Sequence, residues 1–210
     1  MEEKIMSTKL TALRVASLKE DTRTALLEAG MSIMLEKGYT NTGIQEVLSS
    51  LGIPKGSFYY YFESKEAFAL AIIRHVDQAN TADLVQILSD RKQTPMQRLR
   101  TYCEQGLQKI RSLECRKGCL IGNLSQEMSD QSEVLRKELA NILSIQRNIF
   151  ATCIAQGQEL GEITPCCSAE KLAELFSSGW TGAMLRAKTI KNTVPLDTFI
   201  ELMFNHFLVV

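Results

Sequence analysis

The stretch Thr42–Lys65, TGIQEVLSSLGIPKGSFYYYFESK, gathers side chains suited to holding a polyanion. Lys55 supplies charge, and the hydroxyls of Ser57, Tyr59 and Tyr60 can donate to phosphate oxygens, with Ser57 also able to reach a base edge. Gly56 lets a backbone or a phosphate come close. Pro54 suits the first turn of a helix, where its missing N–H costs nothing. The N–H groups left free at that helix end carry partial positive charge and attract phosphate. Lys65 falls in the first turn of the next helix, against the helix dipole, and a neighbouring phosphate would explain a cation there. A packed aromatic cluster accounts for Phe58, Phe62 and Tyr61 but gives Tyr59 and Tyr60 no reason to be consecutive.

A second candidate centre is Cys119. It follows Arg116, Lys117 and Gly118 and starts a short apolar helix. A helix N-terminus with nearby cations lowers a thiol pKa and favours the nucleophilic thiolate. A small residue buried at a helix start is the other reading, and both stay open. Cys166 and Cys167 are adjacent in a Thr-Pro loop, and Cys115 stands four before Cys119. Without a CxxC or a paired His, no metal site and no cofactor is expected. His75 and His206, the two histidines, are expected to pack or to face solvent.

The elements that must position these groups all read as helices. Helical periodicity runs through nearly every segment and strand alternation is absent, which predicts an all-α protein of about nine helices. Asp21 or Thr22 opens a helix that Gly38 stops, and a short apolar-periodic piece (Ile44, Val47, Leu48) ends at Gly52. Pro54–Tyr61 follows after a tight turn, so the two short helices form a helix-turn-helix. Ser64 caps a longer helix, and long amphipathic segments continue to Leu208. Residues 1–20 carry no clear stripe and are expected to be a flexible arm. The helix-turn-helix domain is assigned to 21–80 and a C-terminal helical domain to 81–210.

Composition bounds the partners. With 24 basic and 24 acidic residues the net charge is zero, so a nucleic acid must be met by a local patch. The apolar run Phe68–Ile73 is far short of the roughly 20 residues of a membrane span. The start MEEKIMSTKL lacks a secretory pattern, so a cytoplasmic protein with no membrane partner is expected. The six cysteines are then free thiols.

The helix near Thr22, then Gly38-Tyr39, then GIPKGSFYYYFESKEAF, resembles the DNA-binding domain of TetR/AcrR-family transcriptional repressors from about Thr22 to Leu70. The resemblance implies a homodimer with N-terminal helix-turn-helix domains and a C-terminal effector-binding and dimerisation domain. By position, Lys55, Ser57, Tyr59, Tyr60 and Lys65 match DNA-contacting residues, with Gly56 among them, and Thr42 matches the residue opening the first helix of the motif. The double-stranded partner is then a palindromic operator. Ile53-Pro54 departs from the polar cap of many members, so base preference does not carry over.

The segment GCLIGNLSQEMSD resembles the N-ethylmaleimide-reductase-repressor branch, which responds to electrophiles and oxidants through cysteine. There Cys119 matches the sensing cysteine and Lys188 a lysine that lies near it. Family members also bind small effectors among their C-terminal helices, and Tyr102, Phe150, Trp180 and Met184 are the candidates to line such a pocket. The last two helices, with Leu196, Phe199, Ile200, Met203, Phe204, Phe207 and Leu208 in the final stripe, would form the dimer interface.

The leading expectation is a DNA-binding repressor released by an effector or by modification of Cys119, and not an enzyme. A noncovalent hydrophobic ligand is the alternative. A cysteine hydrolase would need a His and a carboxylate beside Cys119, which two isolated histidines do not supply. A helical interaction module leaves Lys55, Gly56, Ser57, Tyr59 and Tyr60 unexplained.

Overall fold

The computed structural model describes residues 19–210 in full, with the backbone of 2–18 inside its first helix; the arm expected over 1–20 lies almost wholly outside the fully described part. Among the described residues all regular structure is helical. The helices are α1 (Glu2–Lys37), α2 (Ile44–Ser50), α3 (Phe58–Tyr61), α4 (Lys65–Leu88), α5 (Pro95–Ser112), α6 (Leu120–Met128), α7 (Glu133–Glu159), α8 (Ala169–Ile190) and α9 (Val194–Leu202). A 3-10 turn, Lys55–Ser57, precedes α3, and a π turn, Met203–Phe207, follows α9. Packing divides the chain into two compact units, Met1–His75 and Val76–Val210, with the boundary inside α4.

In the first unit, local chemistry sets each stop. Gly38 ends α1 in the left-handed region at φ +80°, its N–H reaching the Met34 carbonyl at 2.9 Å. Gly52 does the same after α2 at φ +65°, and the Ile53 N–H returns to the Leu48 carbonyl at 3.0 Å. An L-residue with a side chain is strained in that region, which is why glycine stands there. Ser64 caps α4, accepting from the Ala67 N–H at 3.0 Å. The core joins Leu26, Leu27 and Met34 of α1, Val47 and Leu48 of α2, Phe58 of α3, Phe62, and Phe68, Ile72 and Ile73 of α4. Each such side chain contributes about 1.5–3 kcal/mol on burial.

The second unit is built from longer helices with better caps. Thr94 and Gln97 form a reciprocal capping box with Pro95 in the first turn of α5, while Ser132 and Ser168 cap α7 and α8. Three glycines let neighbours approach closely. A Cβ on Gly106 would stand 2.6 Å from the Trp180 ring, one on Gly157 2.5 Å from Ile163 Cδ1, and one on Gly179 2.7 Å from the Phe199 ring. The final stripe, expected to face a dimer partner, packs instead into the core of its own chain: Leu196, Met203, Phe204 and Leu208 are buried, and Phe199 and Ile200 are half-buried. The exception is Phe207, half-exposed because the π turn adds a residue and rotates it off the stripe.

Gly30 is the tightest point of the first unit: a Cβ there would stand 2.4 Å from Phe68 Cζ and 2.7 Å from Ile72 Cδ1, both fully buried. Gly30→Ala should therefore destabilise the protein by about 1–3 kcal/mol, despite the better helix propensity of alanine. Denaturant unfolding measures this, and an unchanged or raised midpoint would contradict the packing.

Candidate nucleic-acid interface and thiol site

Spacing within α3 decides which aromatics are free. Phe58 and Phe62 are four apart and both turn inward, against Phe68 at ring-centre distances of 5.3 and 4.7 Å. Tyr59 and Tyr60 are then forced outward, 61% and 62% exposed, while Tyr61 is half-buried. Lys55 and Gly56 stand exposed just before them, Ser57 is half-buried, and a Cβ on Gly56 would meet open space. The structure thus brings Lys55, Gly56, Ser57, Tyr59 and Tyr60 onto one short segment.

Thr42 and Lys65 are placed differently. Thr42 is buried and its hydroxyl donates to the Gly38 carbonyl at 2.6 Å, fixing the entry to α2. The Lys65 ammonium donates to the Thr40 carbonyl at 3.1 Å and lies 4.6 Å from the Tyr39 ring centre. The protein itself therefore offers partners to a cation that the sequence left against the dipole.

Sequence reasoning missed Lys19, which it assigned to the arm. Its ammonium lies 4.9 Å from the Tyr60 ring centre, and a hydrogen bond with Tyr60 holds its pKa above the ordinary lysine value. The available signal was Lys19 and Arg23, four apart on one face of α1, with Arg23 lying 5.5 Å from the Phe62 ring centre.

In the second unit, Cys119 stands at the N-cap of α6 and lines a small cavity of about 40 Å³ with Gly118, Gly122, Asn123, Met184 and Lys188 among others. A Cβ on Gly118 would come within 3.3 Å of Lys188 Cδ, so the Lys188 stem lies along the residue before the thiol. Cys119 and Lys188, distant in sequence, thus share one cavity. The approach to the thiol is strained at Glu114 and Cys115, which hold φ near +50°, while Gly118 takes φ +137°, open to glycine.

The expected depression of this thiol is corrected. Burial pushes the Cys119 pKa up, and the opposing contributions, from the Gly122 and Ile121 N–H groups and from Lys109, do not overcome it. Arg116 instead pairs with Glu114 at 2.9 Å. The helix end acts in the expected direction, but desolvation of a thiolate outweighs it.

The four pocket candidates separate. Met184 lines the Cys119 cavity. Tyr102, Phe150 and Trp180 form an aromatic cluster with one another, Tyr102 lying 5.1 Å from Phe150 and 6.1 Å from Trp180 between ring centres. Burial, together with the neighbouring Cys103 and Cys119, raises the Tyr102 phenol well above its ordinary pKa. A larger groove of about 540 Å³ lies elsewhere, between Val85 and Leu88 of α4, Arg98 of α5, and Ile149, Cys153 and Gln156 of α7. Arg98 is 9% exposed there and donates to the Asp90 carbonyl at 2.7 Å and to Gln156 Oε1 at 3.0 Å. A lone arginine on an amphipathic helix gave no sign of this in the sequence.

Comparison with known proteins fits this arrangement. Residues 26–72 match the model of bacterial regulatory proteins of the tetR family, and residues 95–203 match the tetracyclin repressor-like C-terminal domain. The HTH-type transcriptional repressor DhaR of Mycobacterium sp. (strain GP1) is 36% identical over 89% of this chain and 92% of its own length. The HTH-type transcriptional repressor NemR of Escherichia coli (strain K12) is 31% identical over 85% of this chain and 90% of its own. The crystal structure of the reduced form of E. coli NemR superposes with a TM-score of 0.84 at 30% identity, covering 90% of this chain and 97% of that one. The chain belongs to the TetR family. It is a DNA-binding transcriptional repressor with an N-terminal helix-turn-helix, and its relatives are transcriptional regulators. Among the described residues no helix is long and apolar enough to cross a membrane.

A thiol held protonated at neutral pH reacts through its small thiolate fraction, which grows with pH. Alkylation of Cys119 by N-ethylmaleimide should accelerate about tenfold per pH unit from 7 to 8. Peptide mass mapping of quenched time points measures this; a rate independent of pH would show a thiolate already formed.

Proposed function

We propose that this chain acts in the cytoplasm as a homodimeric repressor whose hold on a palindromic operator is released by covalent modification of Cys119, and that it is not an enzyme. The shared cavity of Cys119 and Lys188 carries this reading, because a lysine reaching across that cavity can orient the carbonyl of an electrophile and stabilise the developing negative charge. A likeness to NemR, whose structure is described as a reduced form, supports a redox-responsive cysteine.

DNA binding is assigned to the part around 21–80. Lys55, Gly56, Ser57, Tyr59, Tyr60 and Lys65, with Thr42 setting α2, would meet phosphates and base edges in the major groove. Lys19 adds charge beside Tyr60. A dimer presents two such faces about one DNA turn apart, roughly 34–36 Å. The strained loop Glu114–Gly118 is the element that modification of Cys119 would relax, biasing one dimer geometry over another. α4 belongs to both units and would carry that change.

A second reading, a noncovalent hydrophobic effector, has its own observation in the groove lined by Val85, Leu88, Ile149 and Arg98. Dimerisation, assigned to α8 and α9 within 81–210, is supported by an exposed α8 face bearing Leu175, Ser178, Gly182 and Leu185. Gly182 faces open space, unlike Gly179.

Operator binding at fixed salt tests the whole. Lys55→Ala should weaken binding and lower the salt slope by about one, and Tyr59→Phe should weaken it with the fold intact. Cys119→Ser should bind normally yet resist release by N-ethylmaleimide. Normal release of that variant would move the effector to the Arg98 groove, and unchanged affinity of Lys55→Ala and Tyr59→Phe would remove the contact assignment. Gly182→Arg should leave each chain folded but convert the dimer to a monomer in light scattering; a persisting dimer would place the interface elsewhere.

A further inference from the structure

The loop between α7 and α8 holds a chemical group that the repressor reading leaves unused. Cys166 and Cys167 are both exposed free thiols, and their sulfurs lie 3.8 Å apart. The loop around them is pinned. Gln158 Nε2 donates to the Thr164 carbonyl at 2.8 Å and to the Cys167 carbonyl at 2.9 Å, and the Thr164 N–H donates to the Leu208 carbonyl at 3.0 Å. Ser168, the next residue, is fixed as the cap of α8. The two thiols are thus presented together on an anchored segment, where a hydrogen bond with Cys166 raises the pKa of Cys167, against a smaller lowering by Lys171.

Geometry restricts what such a pair can do. No peptide bond among the described residues is cis, so adjacent Cα atoms stand about 3.8 Å apart, below the roughly 4.4–6.8 Å that ordinary disulfides span. Direct closure is therefore strained. A bridging atom relieves this. Two thiolates bound to one soft centre at about 2.3 Å each lie about 3.8 Å apart at a tetrahedral angle and about 3.4 Å apart at the pyramidal angle, about 95°, of a trivalent centre. The present 3.8 Å needs only a small closing of the two side chains to reach the pyramidal value. The centre must also be satisfied by two sulfurs, because among the described residues no group of three or more His, Cys, Asp or Glu is placed to hold a metal ion. A four-coordinate divalent metal is under-supplied there. Trivalent arsenic carrying one organic group has two exchangeable positions and matches the pair in number as well as in softness.

We propose that Cys166 and Cys167 form a dithiol site that chelates monosubstituted trivalent arsenicals. The exchange is balanced without any redox step. Two As–OH bonds of the arsonous acid break and two As–S bonds form; each thiol proton leaves with a hydroxyl as water. Chelation makes the second bond intramolecular, so the adduct resists monothiols and yields to a competing dithiol.

The test uses the full chain with reduced thiols and phenylarsine oxide as the probe, in excess 2-mercaptoethanol. Intact-mass measurement should show one phenylarsenic group retained per chain and removed by 2,3-dimercaptopropanol. Cys166→Ser and Cys167→Ser, both on an exposed loop, should each weaken retention by about a hundredfold or more, and Cys119→Ser should leave it unchanged. Absence of a retained adduct on the unsubstituted chain overturns the proposal. So does retention by either loop variant equal to that of the unsubstituted chain, or loss of retention in Cys119→Ser, which would put the arsenic at the α6 thiol.

Discussion

The DNA-facing half of this protein depends on one packing constraint, the burial of Phe58 and Phe62 against Phe68. α3 is a single turn, too short to stand on its own hydrogen bonds. Its orientation comes from two rings four residues apart locking into the core of the first unit. Once they are inside, Tyr59 and Tyr60 have no inward position left and must face solvent. The same fold that hides the phenylalanines thus creates the polar aromatic surface beside Lys55, with Lys19 at the Tyr60 ring.

The second unit shows a different balance. At Cys119 a helix N-terminus favours the thiolate and burial opposes it, and burial wins. A dipole effect is worth at most a couple of kcal/mol even in a partly buried setting, whereas desolvating an anion costs more. A chain that uses this thiol as a detector therefore has one that is quiet at rest, in a cavity that Lys188 also lines.

Much of the fold was legible because its signals are local. Gly38, Gly52 and Ser64 each mark a helix boundary through their own local chemistry, and the structure places all three as expected. The exposed Tyr59 and Tyr60 were legible for a related reason, since two consecutive tyrosines cannot both follow Phe58 and Phe62 inward. What stayed hidden depends on tertiary proximity. The direction of the Cys119 shift turned on the depth of surrounding protein, which no spacing encodes. Lys19 meets Tyr60 only once α1 is folded, and the Arg98 groove exists only between three helices. The neighbourhood of Lys188 and Cys119 came from resemblance, not from residue spacing.

The close approaches at Gly106, Gly157 and Gly179 have a mechanical consequence. Where a ring or a branched side chain sits directly on a helix backbone, neighbouring segments are keyed like teeth, with no compressible layer between them. Such a body resists gradual bending. A small push at one tooth is either absorbed without effect or displaces the engaged neighbour as a whole. The second unit is thereby suited to converting a chemical event the size of a few atoms into an abrupt displacement rather than a graded one.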